Sequence, residues 1–392
     1  MAMKGDGFVN LPLWQDKLPE IFDRLDRQEL LRIPVLGLEN VENPWVAFEE
    51  EDFFAAVETG IVFNSERKLN RLPEKIVTSD ACLALQRLGD NRLNDTFFSA
   101  AIGATYPVLD ALSSPYSSQK PAKLFTQNDS VTGFILSRME SRNCSLEKAT
   151  YEAQWEKIAP GNPSFHLHGI ITRNRLALQI VKIFKTLLPV NDIPTAGIEN
   201  LDIEDMQIAG NFGCAIRLLG IASKVGDKIK ASVEPCIIPE KYLLAQVRGG
   251  TEIIYTLNSK GDSKTFCCEG TDYETVVGGL LFDLDRMDQK VEDIVKQTEV
   301  EDFAENYYVR LNLMEINDTL SLVLKLLSQN GIEVETLMQP KKEVSRETES
   351  SGSFAFTFIT SKIRRSKLIK AVEEINQNIK LATVCSFFRF IR

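Results

Sequence analysis

Between residues 213 and 268, five strand-like runs follow one another, at 213–222, 228–237, 245–248, 252–258 and 264–268. No helix-length periodic segment separates them, so this part of the chain must pair its backbone groups in a sheet. A helix over 202–211 precedes the run and a long helix over 273–297 follows it. After an acidic connector, 298–305, the tail 306–392 reads as a separate unit of β-α-β-β-α-β order. Its strands and helices run from YYVRLNLM through LSLVLKLLSQN, GIEVETLMQ, SFAFTFIT and SKLIKAVEEINQ to LATVCSFFRFI. The charged loop 340–352 lacks structure-forming signals and is expected to be mobile.

The first hundred residues are less regular. A helix is expected over 19–31, with Pro19 suited to its first turn, and LRIPVLGLEN reads as a strand. An acidic, aromatic-rich helix is expected over 44–57, and a short strand over 75–78. From Asp95 the pattern sharpens: FFSAAIGATYPVLDAL is a strand running into a helix. FILSRMESRNCSLEKATYEAQWEKI is two helices around a Cys-Ser cap, and a helix over 173–188 ends before Pro189.

Composition narrows the class of partner. The 392 residues are 44% apolar and 26% charged, enough for two or three soluble domains. A net charge of −10 argues against nucleic acid and against an anionic membrane. The densest basic run, KIRRSKLIK, is interleaved with apolar residues and reads as a solvated helix face. No apolar stretch approaches the roughly 18 residues of a membrane span, and MAMKGDGF has no signal-peptide core, so a cytoplasmic protein is expected. Cys82, Cys144, Cys214, Cys236, Cys267, Cys268 and Cys385 are odd in number and include no CxxC pair, which fits reduced, mostly buried thiols.

The order of motifs resembles homoserine dehydrogenase in its C-terminally regulated form, over roughly residues 76–392. The stretch TAGIENLDIEDMQIAGNFGCAIRLLGIASKVGDKIKASVEPCIIPEKYLLAQVRGG carries the likeness, through a strand ending LLGIA, a V-x-P-x-x-I-P segment and LA-x-V. The tail from Tyr307 resembles an ACT domain, a ferredoxin-like regulatory module. The resemblance implies an α/β and α+β fold in three parts. Residues 1–98 would be a reduced or altered Rossmann-like, dinucleotide-binding region, 99–300 a catalytic and dimerisation domain, and 306–392 the ACT-like domain. It implies a homodimer through the core sheet. It also implies NAD or NADP as cofactor and reduction of aspartate semialdehyde as the reaction.

The positions that such chemistry needs are changed. A dinucleotide turn requires glycines so that backbone N–H groups can approach a pyrophosphate. In VLGLENVENPW only Gly37 is available, and Glu39 and Glu42 stand at the next two positions. The family's Thr-Ala-Asn-Lys resembles Thr78-Ser79-Asp80-Ala81, without the lysine. Its Glu-Ala-Ala-Val-x-Gly-Gly-x-Pro resembles Ser99 to Pro107, without the acid and the glycine pair. Its Asn-Gly-Thr-Thr-Asn-Tyr-Ile resembles Asp129 to Ile135, and its Ala-Glu-x-Asp-Pro resembles Ala159 to Pro163, with Pro160 for the glutamate. Its acid and lysine, one helical turn apart, correspond to Ile171 and Arg175, and its glycine-rich loop to Gly270 to Val276. Arginine keeps the charge, but with a pKa above about 12 it is no proton donor near neutrality. In the ACT-like tail, Asp318 stands near the usual glycine of the first strand–helix turn.

His166 and His168, the only histidines, would share one side of an extended segment. A metal needs about four ligands, and the pair supplies at most two, so no metal is expected. Two readings therefore lead. One is a pseudoenzyme that has lost hydride transfer, binds no cofactor and acts by binding or pairing. The other is a repurposed, non-redox enzyme acting on an amino-acid-like or anionic ligand through Arg175, His166, His168 and Asp129. The third possibility is an authentic NAD(P)-dependent homoserine dehydrogenase.

Overall fold

Strand-forming residues dominate the first part of the chain that the computed structural model describes. Described are residues 120–269, 300–314, 318–338, 353–378 and 382–391, the segments 45–50, 53–58 and 75–78, most of 81–113, and scattered positions from 275 to 296. Strands β1 (Trp45–Glu50) and β2 (Phe53–Glu58) pair antiparallel, with Val46 opposite Val57. This corrects the helix expected over 44–57. Trp45, Val46, Phe48, Phe53, Phe54 and Val57 are residues that favour a pleated surface, and they outweigh the acidic helix-like spacing. Strand β3 (Lys75–Thr78) lies parallel to β2, helix α1 (Ala81–Gly89) crosses over, and β4 (Thr96–Phe97) lies parallel to β3. This is βαβ connectivity of the Rossmann-like kind. The helix expected over 19–31 and the LRIPVLGLEN strand with Gly37 lie outside the described residues.

Helices α2 (Ser99–Ile102) and α3 (Tyr106–Ser113) lead to strand β5 (Pro121–Gln127). Two capped helices follow as the sequence suggests. Asp129 caps α4 (Ser130–Arg142) by accepting from Val131 N, and Ser145 caps α5 (Leu146–Trp155) by accepting from Lys148 N. A short helix α6 (Ser164–Leu167) then meets α7 (Ile170–Phe184) at Gly169, whose φ of +72° suits glycine. Helix α7 starts three residues before the expected boundary and ends earlier, because Thr186–Leu187 form strand β6.

Asp202 caps α8 (Ile203–Asn211), and β7 (Cys214–Val225) and β8 (Lys228–Pro239) form a long hairpin in continuous register. The strand expected at 245–248 is not formed. Residues Leu243–Gln246 make a helical turn, α9, and the fully buried Arg217 takes the carbonyls of Ala245 and Val247 at 2.7 and 3.0 Å. Acceptors held by a guanidinium are not free for a ladder. Strands β9 (Glu252–Asn258) and β10 (Ser263–Cys268) complete this half of the sheet. Within the expected 273–297 helix, Thr275, Gly278, Gly279, Phe282 and Asp283 are helical, Arg286 lies in a turn, and Val295–Lys296 form β11, parallel to β6. A single helix across that range is therefore corrected.

The tail folds as β12 (Ala304–Met314), α10 (Thr319–Gln329), β13 (Val334–Leu337), β14 (Ser353–Thr360), β15 (Ile363–Arg364), α11 (Arg365–Asn378) and β16 (Ala382–Phe390). Its strand order β16-β12-β14-β13 is ferredoxin-like, with a core of Tyr307, Val309, Leu311, Val323, Phe358 and Leu368 among others. Asp318, before α10, stands at φ +79°, the region that favours glycine. The tail is not free-standing. Strand β16 pairs parallel to β8 through Arg389↔Cys236 and Phe390↔Ile237, which joins core and tail in one sheet. Two side-chain clusters reinforce the seam. Arg389 approaches Glu234 at 2.6 Å, and Arg310 pairs with Asp205 at 2.7 Å. Residues 340–352 lie outside the described residues. Among those described, no helix is long and apolar enough to cross a membrane.

Candidate functional site

The turn from β5 into α4 places Asn128 and Asp129 at the centre of the core domain, both buried. Helix α6 brings His166 against Asp129, with Nδ1 at 2.9 and 3.0 Å from the two carboxylate oxygens. Burial disfavours the Asp129 anion. His166, Arg175 and the Val131 N–H outweigh that penalty together and hold the carboxyl below its usual range. Helix α7 brings Arg175 to the neighbouring residue. Its Nη1 donates to the Asn128 carbonyl and, at 3.0 Å, to Glu252 Oε1 of β9. Glu252 is fully buried, and Gly103 lies so close that a Cβ there would sit 2.8 Å from Glu252 Oε2. Asn128 Nδ2 donates to Gln179 Oε1 at 3.3 Å, one helical turn beyond Arg175.

Three of the four residues expected from the sequence thus converge: Asp129, His166 and Arg175. His168 does not. The segment is helical rather than extended, so residues two apart diverge. His168 Nδ1 faces the Ser164 carbonyl at 2.7 Å on an exposed edge. No group of three or more His, Cys, Asp or Glu side chains among the described residues is arranged to hold a metal. Glu252 and Asn128 escaped sequence reasoning. The one signal for Glu252 is a lone acid at the head of the apolar run EIIYTLN, one residue after Gly249-Gly250.

Residues 107–284 match the family model described as homoserine dehydrogenase. The homoserine dehydrogenase of Helicobacter pylori is 24% identical over 287 residues, which covers 71% of this chain and 67% of that protein. That of Neisseria gonorrhoeae is 23% identical, covering 76% and 75%. The segment 107–284 is thus a domain of the homoserine dehydrogenase family. Among solved structures, a homoserine dehydrogenase from Thiobacillus denitrificans superposes with a TM-score of 0.68 at 20% identity, over 81% of this chain and 76% of that one. A Staphylococcus aureus homoserine dehydrogenase does so with a TM-score of 0.60 at 17% identity, over 81% and 74%. These show the shared mixed α/β fold.

Against that family pattern, Ile171 and Arg175 lie one turn apart on α7, in the relation that its acid and lysine hold. The nicotinamide dinucleotide that the family implies is poorly matched by the residues present. After the strand that ends at Thr78, α1 opens with Ala81, whose side chain offers no donor. The Ser99 N–H, at the head of α2, already donates to Asp283 Oδ2 at 2.6 Å. Among the described residues, these two helix starts do not fit the group.

Asp283 itself is buried, and burial pushes its carboxyl from an ordinary 3.8 up to about 6, although Lys182 and the Ser99 N–H pull it down. A raised folded-state value means that the neutral form is favoured in the folded protein. Stability from this group is therefore full below about pH 4 and is lost as pH rises towards 6, by about 3 kcal/mol. Asp283→Asn keeps an acceptor for Ser99. It should flatten the pH profile of urea unfolding across that window and leave the variant more stable at pH 7. Superimposable profiles would refute the assignment.

Proposed function

We propose that this chain is a member of the homoserine dehydrogenase family that no longer transfers hydride to aspartate semialdehyde, and that its pocket serves a small amino-acid-like carboxylate. The observation that carries this reading is the engagement of Arg175. Its guanidinium is anchored by a fully buried acid and a backbone carbonyl, and Ile171 beside it offers no proton. A group so placed holds an anion and moves no proton near neutrality. Self-pairing through the core sheet and a cytoplasmic setting belong to the same proposal.

The test is direct. NADPH oxidation in the presence of aspartate semialdehyde, and NADP reduction with homoserine, should not rise above a protein-free blank. Cofactor should also leave the emission of Trp14, Trp45 and Trp155 unchanged. The breadth of the match favours one second reading. Relatives named homoserine dehydrogenase align over as much as 77% of the chain, so steady turnover of NADPH would install authentic dehydrogenase activity in place of the first reading.

A further inference from the structure

The Asp129–His166 contact has the geometry of a base held ready. Both carboxylate oxygens lie within 3.0 Å of Nδ1, which places a proton on Nδ1 and, in the neutral imidazole, leaves the lone pair on Nε2. Asp129 is fixed in turn, because it accepts the Val131 N–H at 3.1 Å and caps the first turn of α4. His166 Nε2 has no partner among the described residues, and neither do Nε and Nη2 of Arg175. Both side chains reach solvent, at 16% and 19% exposure. Beside them, Asn128 Oδ1 and Thr172 Oγ1 are buried without a partner, although Asn128 Nδ2 meets the Thr172 carbonyl at 3.4 Å. Buried polar atoms of this kind call for a ligand or a water.

We propose that His166 Nε2 is a proton acceptor, positioned by Asp129, for the hydroxyl of a small hydroxycarboxylate whose anion rests on the open edge of Arg175. The proposal deepens the reading of this pocket as a carboxylate site. On proton transfer the ligand O–H bond breaks, its electron pair stays on oxygen and an Nε2–H bond forms. The imidazolium then lies against the Asp129 anion, and the alkoxide shares a pocket with the Arg175 cation. The charged groups on the packed elements are Asp129 at the head of α4, Arg173 and Arg175 on α7, Glu252 on β9, and Glu199, whose carboxylate and the His168 backbone both crowd Gly197.

Two histidines in the chain make the test clean. Nitrogen-15 spectra of the full-length His168→Asn protein report one imidazole. At a pH where it is neutral, it should show a protonated Nδ1 and a bare Nε2, a preference that Asp129→Asn should abolish. Glycolate, 3-hydroxypropionate and 4-hydroxybutyrate are the probes, with butyrate as the control that lacks a hydroxyl. One hydroxyacid should shift the Nε2 resonance saturably and bind about fivefold or more tightly than butyrate, the worth of one hydrogen bond. The double variant Arg175→Met, Glu252→Gln removes the cation together with the charge of the acid that faces it. It should weaken binding about tenfold or more while His166 keeps its tautomer. An Nε2-protonated imidazole in the parent protein overturns the proposal. So does the absence of a shift with every hydroxyacid at about 10 mM, or equal binding of butyrate. None of these signals depends on NADPH, so a failure here is distinct from a finding of dehydrogenase turnover.

Discussion

Replacing Asp205 with alanine is expected to loosen the tail from the core and to cost about 3–5 kcal/mol, the range for breaking a buried ion pair from one side. Asp205 is fully buried in the first turn of α8 and receives Arg310 Nε and Nη2 at 2.7 and 3.1 Å, Tyr308 Oη at 3.0 Å and Ser386 Oγ at 2.7 Å. Three side chains on β12 and β16, with four donor groups, therefore lose their shared acceptor together. Glu204 retains a hold on Arg310 through Nη1, which sets the effect towards the lower end. The backbone seam cannot compensate, because β16 and β8 pair over two residues. The measurement is urea unfolding, with limited proteolysis of the 298–305 segment beside it. Asp205→Asn, which keeps acceptor oxygen but not charge, should fall between parent and alanine. Lys370→Ala, at an exposed 3.9 Å ion pair, should change stability by about 1 kcal/mol or less. An alanine variant no weaker than that control would remove Asp205 as the clamp.

The second large effect lies in the pocket. Arg175→Met removes the cation that lies 3.0 Å from Glu252, a carboxylate with no exposure, and should also cost about 3–5 kcal/mol at neutral pH. Adding Glu252→Gln removes the buried negative charge as well, so the double variant should recover part of the loss. The resulting coupling is expected at about 1–3 kcal/mol, within the range for residues in direct contact. Single and double variants with additive losses would show that the pair is not a unit. The same double variant removes the cation for the ligand experiment above, which ties its stability to its binding.

Much of this was legible beforehand, for identifiable reasons. Caps are local: Asp202 and Ser145 each satisfy N–H groups two or three residues away, so helices α8 and α5 could be placed from their neighbours alone. The tail's alternation of periods also survives folding, as the ferredoxin-like strand order shows. Misreadings arose where a distant partner decides. The 245–248 segment surrenders its carbonyls to Arg217, about thirty residues away. The 44–57 segment is set by pairing between its two halves and with β3. His166 and His168 part because Pro163 and Gly169 bracket a turn of helix, which the spacing of two histidines does not reveal.

The amino-acid order alone indicated the strand-rich core and the tail's topology, and its motifs carried the resemblance to a known family. Strand and helix order is a property of short-range period, written along one strand or one turn. What Arg175 does was decided only in three dimensions. Glu252 lies 77 positions away and Asp129 lies 37 from His166, and no period links residues so separated. A buried acid beside a cation and an acid behind an imidazole are created by the packing of β5, β9, α6 and α7. The strength of each pair comes from the exclusion of water that the packing brings.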